Sequence, residues 1–176
     1  MKQTKRLMVT LRALLLVATF ALCACTPKCD HVFEDGVCTL CGETEYVNVT
    51  IVLANGHDDA NKQVYNVNTA DYNVGASKSV ADLLVAISES EGEKQLFTCI
   101  TEGTALKQLG DLVGDTISWN PYIAVFTNVD ADKDVSAWGS TTTVLDTTLY
   151  SSAFGVKEMH LEEGAILYFV LVEATW

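Results

Sequence analysis

The chain has 176 residues, of which 11 are lysine or arginine and 23 are aspartate or glutamate, so its formal charge is −12. Hydrophobic residues make up 49%, enough for the core of one ordinary domain with small additions. Because the excess negative charge repels phosphate backbones, the composition excludes nucleic acid as a partner.

Residues 1–24 have the features of an export signal. An uncharged, mainly apolar stretch over 13–24 follows a basic start that contains Lys2, Lys5, Arg6 and Arg12. The stretch is shorter than the about 20 apolar residues that a membrane-spanning helix needs, so the pattern predicts a signal peptide. Since the segment holds four bases and no acid, its removal would leave a formal charge of −16 on the remainder.

The end of this segment, Leu22-Cys23-Ala24-Cys25, resembles the bacterial lipobox. The resemblance implies transfer of a diacylglyceryl group to the sulfur of Cys25 and cleavage after Ala24. It therefore implies an extracytoplasmic protein, lipid-anchored to the outer face of a bacterial membrane, with the cytoplasmic membrane expected. An ordinary secretory signal and an uncleaved hydrophobic N-terminus are the alternatives.

Residues 25–43 combine the lipid-anchor cysteine with a small cluster of metal-binding side chains. Three thiolates and one imidazole form a complete tetrahedral zinc set, and a complete set indicates a structural rather than a catalytic ion. The four predicted ligands are Cys29, His31, Cys38 and Cys41. The spacing resembles a short zinc-ribbon-type knuckle.

Local turn signals support this knuckle. Asp35-Gly36 lies midway between the two ligand pairs, where a tight hairpin would fold His31 towards Cys38. Gly42 allows the backbone to turn so that its amides face the thiolates. Two alternatives remain open: a disulfide from Cys38 to Cys29 or Cys41, and a redox-active Cys-x-x-Cys pair. We expect Cys99, further along the chain, to pack as a small apolar residue on a strand.

A single domain is predicted over residues 45–176, and it opens with a β-hairpin. Apolar residues alternate at Val47, Val49, Ile51 and Leu53, which indicates a strand with one buried face. Asn55-Gly56 predicts the turn, because both residues tolerate positive φ. Residues 63–68 are the expected second strand.

The clearest helix follows this hairpin. Ser79 is the predicted N-cap, with Asp82 completing a capping box. One apolar stripe is formed by Val80, Leu83, Leu84 and Ile87. Gly92 is the expected stop.

The remainder reads as β structure. Short strands are predicted over 96–100 and 105–112, an apolar run covers 122–126, and 156–161 alternates weakly. Residues 165–172 are almost wholly apolar and are therefore expected in the middle of the sheet. One main helix packed across a mixed sheet predicts the α+β class.

Five segments of this domain resemble, in order, the transcobalamin-like C-terminal domain family, which also occurs in bacteria as a domain of unknown function. They are residues 47–52, 79–84, 103–112, 119–128 and 155–166. The clearest is Ser79-Val80-Ala81-Asp82-Leu83-Leu84, which is similar to the family's helix start. The resemblance implies a β-grasp-like fold and makes a corrinoid such as cobalamin a candidate ligand, not a cofactor. Asn120-Pro121 and Ala165 depart from the family pattern.

The acidic residues and histidines of the second half give no catalytic constellation. Asp130-x-Asp132-x-Asp134 has the spacing with which calcium loops begin, but it lacks the later ligands, so a solvated acidic loop is expected. His160 near Glu158 is expected to be an ordinary surface histidine. Since neither a glycine-flanked nucleophile nor a phosphate-binding glycine loop occurs in the sequence, we predict no enzymatic activity.

Four aromatic residues of the second half are the predicted ligand or partner contacts: Trp119, Tyr122, Trp138 and Tyr150. We expect Trp138 to be the most exposed. These features together predict a membrane-tethered binding module that captures a small molecule or a surface protein. The alternative is an adhesive or structural component of a cell-surface assembly, with a thiol oxidoreductase as a third hypothesis.

Overall fold

The computed structural model describes residues 32–34, 37–42 and 44–173. The predicted signal peptide, lipobox Cys25 and the proposed zinc ligands Cys29 and His31 lie outside the described residues. A boundary between two compact units falls between residues 43 and 44. Within the described residues, strands predominate and one α-helix is present, which confirms the predicted α+β class.

The described part of the first unit is a small hairpin. Strand β1 (Phe33–Glu34) pairs antiparallel with strand β2 (Val37–Cys38). The Thr39 amide extends the ladder by donating to the Val32 carbonyl over 2.9 Å. The two strands therefore run in opposite directions, and the predicted turn residues Asp35-Gly36 lie outside the described residues.

The second unit contains nine strands and one α-helix in its described part. The strands are β3 (Asn48–Ala54), β4 (Gln63–Asn68), β5 (Cys99–Glu102), β6 (Ala105–Leu109), β7 (Leu112–Val113), β8 (Tyr122–Thr127), β9 (Thr141–Val144), β10 (Thr147–Ser151) and β11 (Ala165–Val172). The helix α1 spans Val80–Glu89, and 3₁₀ turns lie at Thr69–Tyr72, Gly92–Lys94 and Asp130–Asp132. None of the helices within these described ranges has the length and hydropathy needed to cross a bilayer.

Strand β11 lies inside a six-stranded sheet of order β4-β3-β11-β8-β10-β9. It runs parallel to β3, from Ala165 beside Val49 to Val170 beside Ala54, and antiparallel to β8. Both of its faces are buried, which explains why the strand is apolar without alternation. The predicted central position of this segment is confirmed.

Helix α1 begins as the sequence predicts. The Ser79 hydroxyl accepts a hydrogen bond from the Asp82 amide (3.2 Å), and the Asp82 carboxylate accepts one from the Ser79 amide (2.9 Å). This reciprocal capping box satisfies two otherwise unpaired donors of the first turn. The helix ends at Glu89, before the predicted stop at Gly92, because Ser90 adopts an extended backbone and its hydroxyl donates to the Ala86 carbonyl.

The sheet has an apolar cluster on each face. The larger cluster lies between the sheet and α1, and it includes fully buried Ile51, Leu167, Leu83 and Ile87. The smaller cluster comprises strand residues from the opposite face of the sheet, such as Tyr168. A second sheet, of order β5-β6-β7, contributes further residues to the larger cluster.

Four segments differ from the sequence prediction. The strand predicted over 96–100 begins three residues later and spans Cys99–Glu102. Residues 105–112 form two strands rather than one, because Gly110 turns the chain with a φ of +56°.

Residues 156–161 form no continuous strand: 156–158 are a turn, and His160 makes only an isolated bridge to Ser79. The Val80 and Ala81 amides donate to the Met159 and Val156 carbonyls, so this segment is bonded to the start of α1 rather than to a neighbouring strand. The β9–β10 hairpin was not predicted, since its strands are rich in threonine and carry few apolar residues.

Candidate binding cleft

A cleft of about 280 Å³ opens beside β6 and the start of β8. Its remaining walls come from the loop that follows β7 and from the segment after β10. Aromatic, aliphatic and acidic side chains line it, among them Trp119, Tyr122, Phe154, Ile123, Val125 and Asp115. Ligand pockets typically combine such apolar walls with few polar groups.

The loop that carries Trp119 is held by hydrogen bonds to Asp115. The Asp115 carboxylate accepts from the Ile117 amide (2.8 Å), the Ser118 amide (3.0 Å) and the Ser118 hydroxyl (2.7 Å). These bonds, led by the Ser118 hydroxyl, lower the pKa of Asp115, so the carboxylate remains ionised. The Trp119 amide in turn donates to the Asp115 carbonyl over 2.9 Å.

The backbone of the loop that carries Trp119 has two unusual features before it reaches β8. Trp119 adopts a positive φ of +57°, and the Asn120–Pro121 peptide bond is cis. The Asp115 amide donates to the Pro121 carbonyl over 2.7 Å. The chain therefore returns to β8 with the indole of Trp119 half-exposed beside the cleft.

The opposite wall is built around Phe154. The Ser152 hydroxyl accepts from the Phe154 amide (3.1 Å) and donates to the Phe154 carbonyl (2.9 Å). The Ser152 amide donates to the Val125 carbonyl, which attaches this wall to β8. A Cβ atom on Gly155 would lie 2.7 Å from both Cβ and the carbonyl oxygen of Thr104, so only glycine fits here.

The structure brings together two of the four aromatic residues predicted as ligand contacts. Trp119 and Tyr122 line the cleft. Trp138 lies elsewhere and is 92% exposed, as the sequence analysis expected for the most exposed of the four. Tyr150 is covered by Lys133, whose Nζ lies 4.6 Å from the ring centroid.

Two further cleft residues, Phe154 and Asp115, were not predicted. Phe154 follows a run of small residues and has no periodic partner in sequence. Asp115 gave a local signal, because an aspartate followed three residues later by serine favours an Asx-type turn. Its place in a cleft depends on strand packing that the local sequence does not specify.

The acidic segment 130–134 is not the wholly solvated loop that was predicted. Asp132 is fully buried, and its carboxylate accepts from the His160 amide over 2.9 Å. Its second oxygen lies 2.6 Å from His160 Nδ1. The expectation of solvation is therefore wrong for Asp132, whereas Asp130 is exposed and pairs with Lys133. His160 is more than half exposed and does not line the cleft.

The cysteines occupy different environments. Cys38 is buried and Cys41 is exposed, and the Gly42 amide donates to the Cys38 carbonyl over 2.8 Å. Gly42 has a φ of +78°, the turn for which the sequence analysis singled it out. Cys99 begins β5 and packs against the larger core cluster, as expected, and burial raises the pKa of its thiol to about 11. Over the described residues, no group of three His, Cys, Asp or Glu side chains is arranged to hold a metal ion.

In comparisons with known proteins, no family model and no curated protein sequence matches this chain.

Proposed function

We propose that this protein is a non-catalytic, lipid-anchored module that captures a small molecule outside the cytoplasm. The observation that carries the proposal is the cleft, about 280 Å³ in volume, between Trp119 and Phe154. Hydrogen bonds to Asp115 and Ser152 fix the backbone on both sides of it. Such preorganisation lowers the entropic cost of binding and is typical of a ligand site.

We also propose membership of the transcobalamin-like C-terminal domain family, with a β-grasp-like fold. Three observations support this: the β3–β4 hairpin precedes helix α1, β11 pairs parallel to β3 in the middle of the sheet, and α1 packs across one face. A corrinoid is a candidate ligand on this basis. Because a corrinoid is larger than the cleft, only part of it would enter.

Ligand capture is testable by native mass spectrometry of the processed protein, purified from membranes in mild detergent. We expect a co-purified small molecule, and we expect Trp119→Ala to lose it. Trp138→Ala is the matched control, since Trp138 is also exposed but lies outside the cleft. Ligand retained by Trp119→Ala, or lost equally from both variants, would contradict a site in the cleft.

The proposed anchor is Cys25. Substitution Cys25→Ser removes the only sulfur that the lipobox resemblance assigns to lipid transfer, so we expect loss of radiolabelled palmitate and of membrane association. Cys23→Ser is the control and should keep both. Palmitate labelling that persists in Cys25→Ser would disprove the anchor.

A structural zinc ion held by Cys29, His31, Cys38 and Cys41 is the second part of the proposal. The β1–β2 hairpin and the turn at Gly42 support it, because they give the backbone path that the knuckle requires. Zinc would stabilise a segment too short to form its own core. We expect one zinc per chain, lost in Cys41→Ser and kept in Cys99→Ser; a metal-free protein with a mass two hydrogens lower indicates the disulfide instead.

The adhesive alternative is favoured by one observation. Strand β4 is an edge of the six-stranded sheet, and Val64 on it is 44% exposed. Open edges can accept a strand from a partner. Val64→Lys would block such pairing while leaving the cleft intact, so loss of surface assembly in this variant would favour the adhesive role.

A further inference from the structure

The aromatic residues of the cleft are partly open to solvent: Trp119 is 52% and Phe154 42% exposed, and Tyr122 is half-buried. Ring contacts elsewhere in the described chain join Tyr65 to Phe97 and connect His57, Phe126 and Tyr168. No such contact within the described residues involves Trp119, Tyr122 or Phe154. Three rings from two segments, 119–122 and the chain after β10, therefore border one space without ring–ring contacts.

Three polar side chains of the same space, those of Asp115, Thr116 and Ser152, are bonded within the protein. Asp115 accepts three hydrogen bonds from its own loop. The Thr116 hydroxyl donates to Glu102 over 2.6 Å, and the Ser152 hydroxyl bonds to both backbone groups of Phe154. A ligand would therefore meet these three side chains with bonds already made inside the protein.

The charge that remains is negative. The hydrogen bonds from Ser118 and Ile117 lower the pKa of Asp115, so its carboxylate is ionised at neutral pH. Glu102 accepts a hydrogen bond from Thr116, the residue after Asp115, and Lys107 Nζ lies 3.8 Å from the Glu102 carboxylate in an exposed contact. The charge of Lys107 also contributes to the lowered pKa of Asp115, so two carboxylates share one cation. The acids of the whole chain outnumber its bases by 23 to 11, which concentrates cations near the surface.

We propose that the cleft binds a small organic ammonium ion, with its cationic group against the rings of Trp119, Tyr122 and Phe154 and beside the Asp115 carboxylate. This inference rests on the proposed function and names its ligand class. Aromatic faces attract such cations through their quadrupole, and a quaternary ammonium group needs no hydrogen-bond acceptor. The aromatic rings and the ionised Asp115 carboxylate therefore both favour a cation as the ligand.

The test compares choline with 3,3-dimethyl-1-butanol, a neutral molecule of nearly the same shape, by isothermal titration of the processed full chain. Because only the charge differs, we expect choline to bind about tenfold or more tightly. We also expect its affinity to fall at high salt. Equal affinity for the two molecules, or no choline binding, would overturn the inference.

Matched variants locate the interaction. Trp119→Ala and Phe154→Ala should each weaken choline binding about tenfold, while Trp138→Ala should leave it unchanged. Asp115→Asn keeps an acceptor for the loop amides but removes the charge, so it should weaken choline binding without affecting the neutral molecule. Unchanged choline binding in Trp119→Ala would overturn the inference.

Native mass spectrometry, the test of ligand capture, separates this inference from the proposed function. A co-purified neutral molecule that Trp119→Ala loses would keep the cleft as a capture site and reject the ammonium ligand.

Discussion

Asp132 is the described carboxylate most enclosed by the fold. It is fully buried, yet both of its oxygens face His160, from a segment 28 residues later in the chain. A buried carboxylate is tolerated when its oxygens are satisfied in this way. The pair therefore ties the 3₁₀ turn at 130–132 to the chain that precedes β11.

We predict that Asp132→Ala lowers the free energy of unfolding by about 2–3 kcal/mol, because the His160 amide loses its buried acceptor. Urea denaturation at neutral pH measures this. Asp130→Ala is the control, and it should leave stability nearly unchanged, since Asp130 is 94% exposed. Equal effects of the two substitutions would contradict a structural role for Asp132.

Gly155 gives a second prediction at this scale. A methyl group there would lie 2.7 Å from the Thr104 carbonyl oxygen, so Gly155→Ala must displace one wall of the cleft. We expect a loss of about 1–3 kcal/mol in thermal or urea unfolding, together with weaker ligand binding.

Gly75→Ala is the matched control, because its nearest non-neighbour atom would be at 3.5 Å, an ordinary contact. If Gly155→Ala proves as stable as Gly75→Ala, the close packing of Gly155 against Thr104 does not contribute to stability.

Single residues show where sequence reasoning reached the site and where it stopped. Trp119 and Tyr122 could be proposed because large aromatics in loops and at strand ends often contact ligands. Asp132 looked like its neighbours Asp130 and Asp134, since nothing local marks a carboxylate whose partner lies 28 residues away. Burial that depends on distant contacts leaves no local pattern.

The capping box of helix α1 makes part of the protein's stability depend on pH. Hydrogen bonds from the Ser79 amide and hydroxyl lower the pKa of Asp82 below its ordinary value. A lowered folded-state pKa stabilises the protein above the unfolded pKa of about 3.9, and that stability disappears as pH falls through the folded value.

We therefore predict that Asp82→Ala lowers unfolding free energy by about 1 kcal/mol at pH 7, and that the difference shrinks as the pH falls from about 4 to 2. Circular dichroism with urea across this pH range measures the difference between the two proteins. A gap that stays constant with pH would rule out an ionic contribution from the cap.

Elements with strong local signals were predictable. Helix α1 has a cap and an apolar stripe, and β11 is so apolar that a central position was the natural expectation. The β9–β10 hairpin gave no such signal, because Thr141–Val144 is mostly threonine and the turn is formed by Leu145 and Asp146 at positive φ. Threonine itself favours strands, so the hairpin escaped prediction because it has no alternating apolar pattern and no glycine or asparagine at its turn.

At the scale of the molecule, stability should be greatest in the sheet interior. Strands β3, β11 and β8 are paired on both sides, whereas β9 is an edge. We predict that amides of β3 and β11 exchange slowest and that amides of β9 and of residues 133–140 exchange first. Hydrogen exchange followed by mass spectrometry measures this order; equal protection of β9 and β11 would contradict it.

The parallel pairing of β3 with β11 also has a consequence for biogenesis. Strand β3 has left the ribosome well before β11 exists, because more than a hundred residues separate paired positions such as Val49 and Ala165. Until those late residues emerge, the middle of the sheet is missing and the domain cannot close. A nascent polypeptide that stays open for that long is the form a translocation channel can thread.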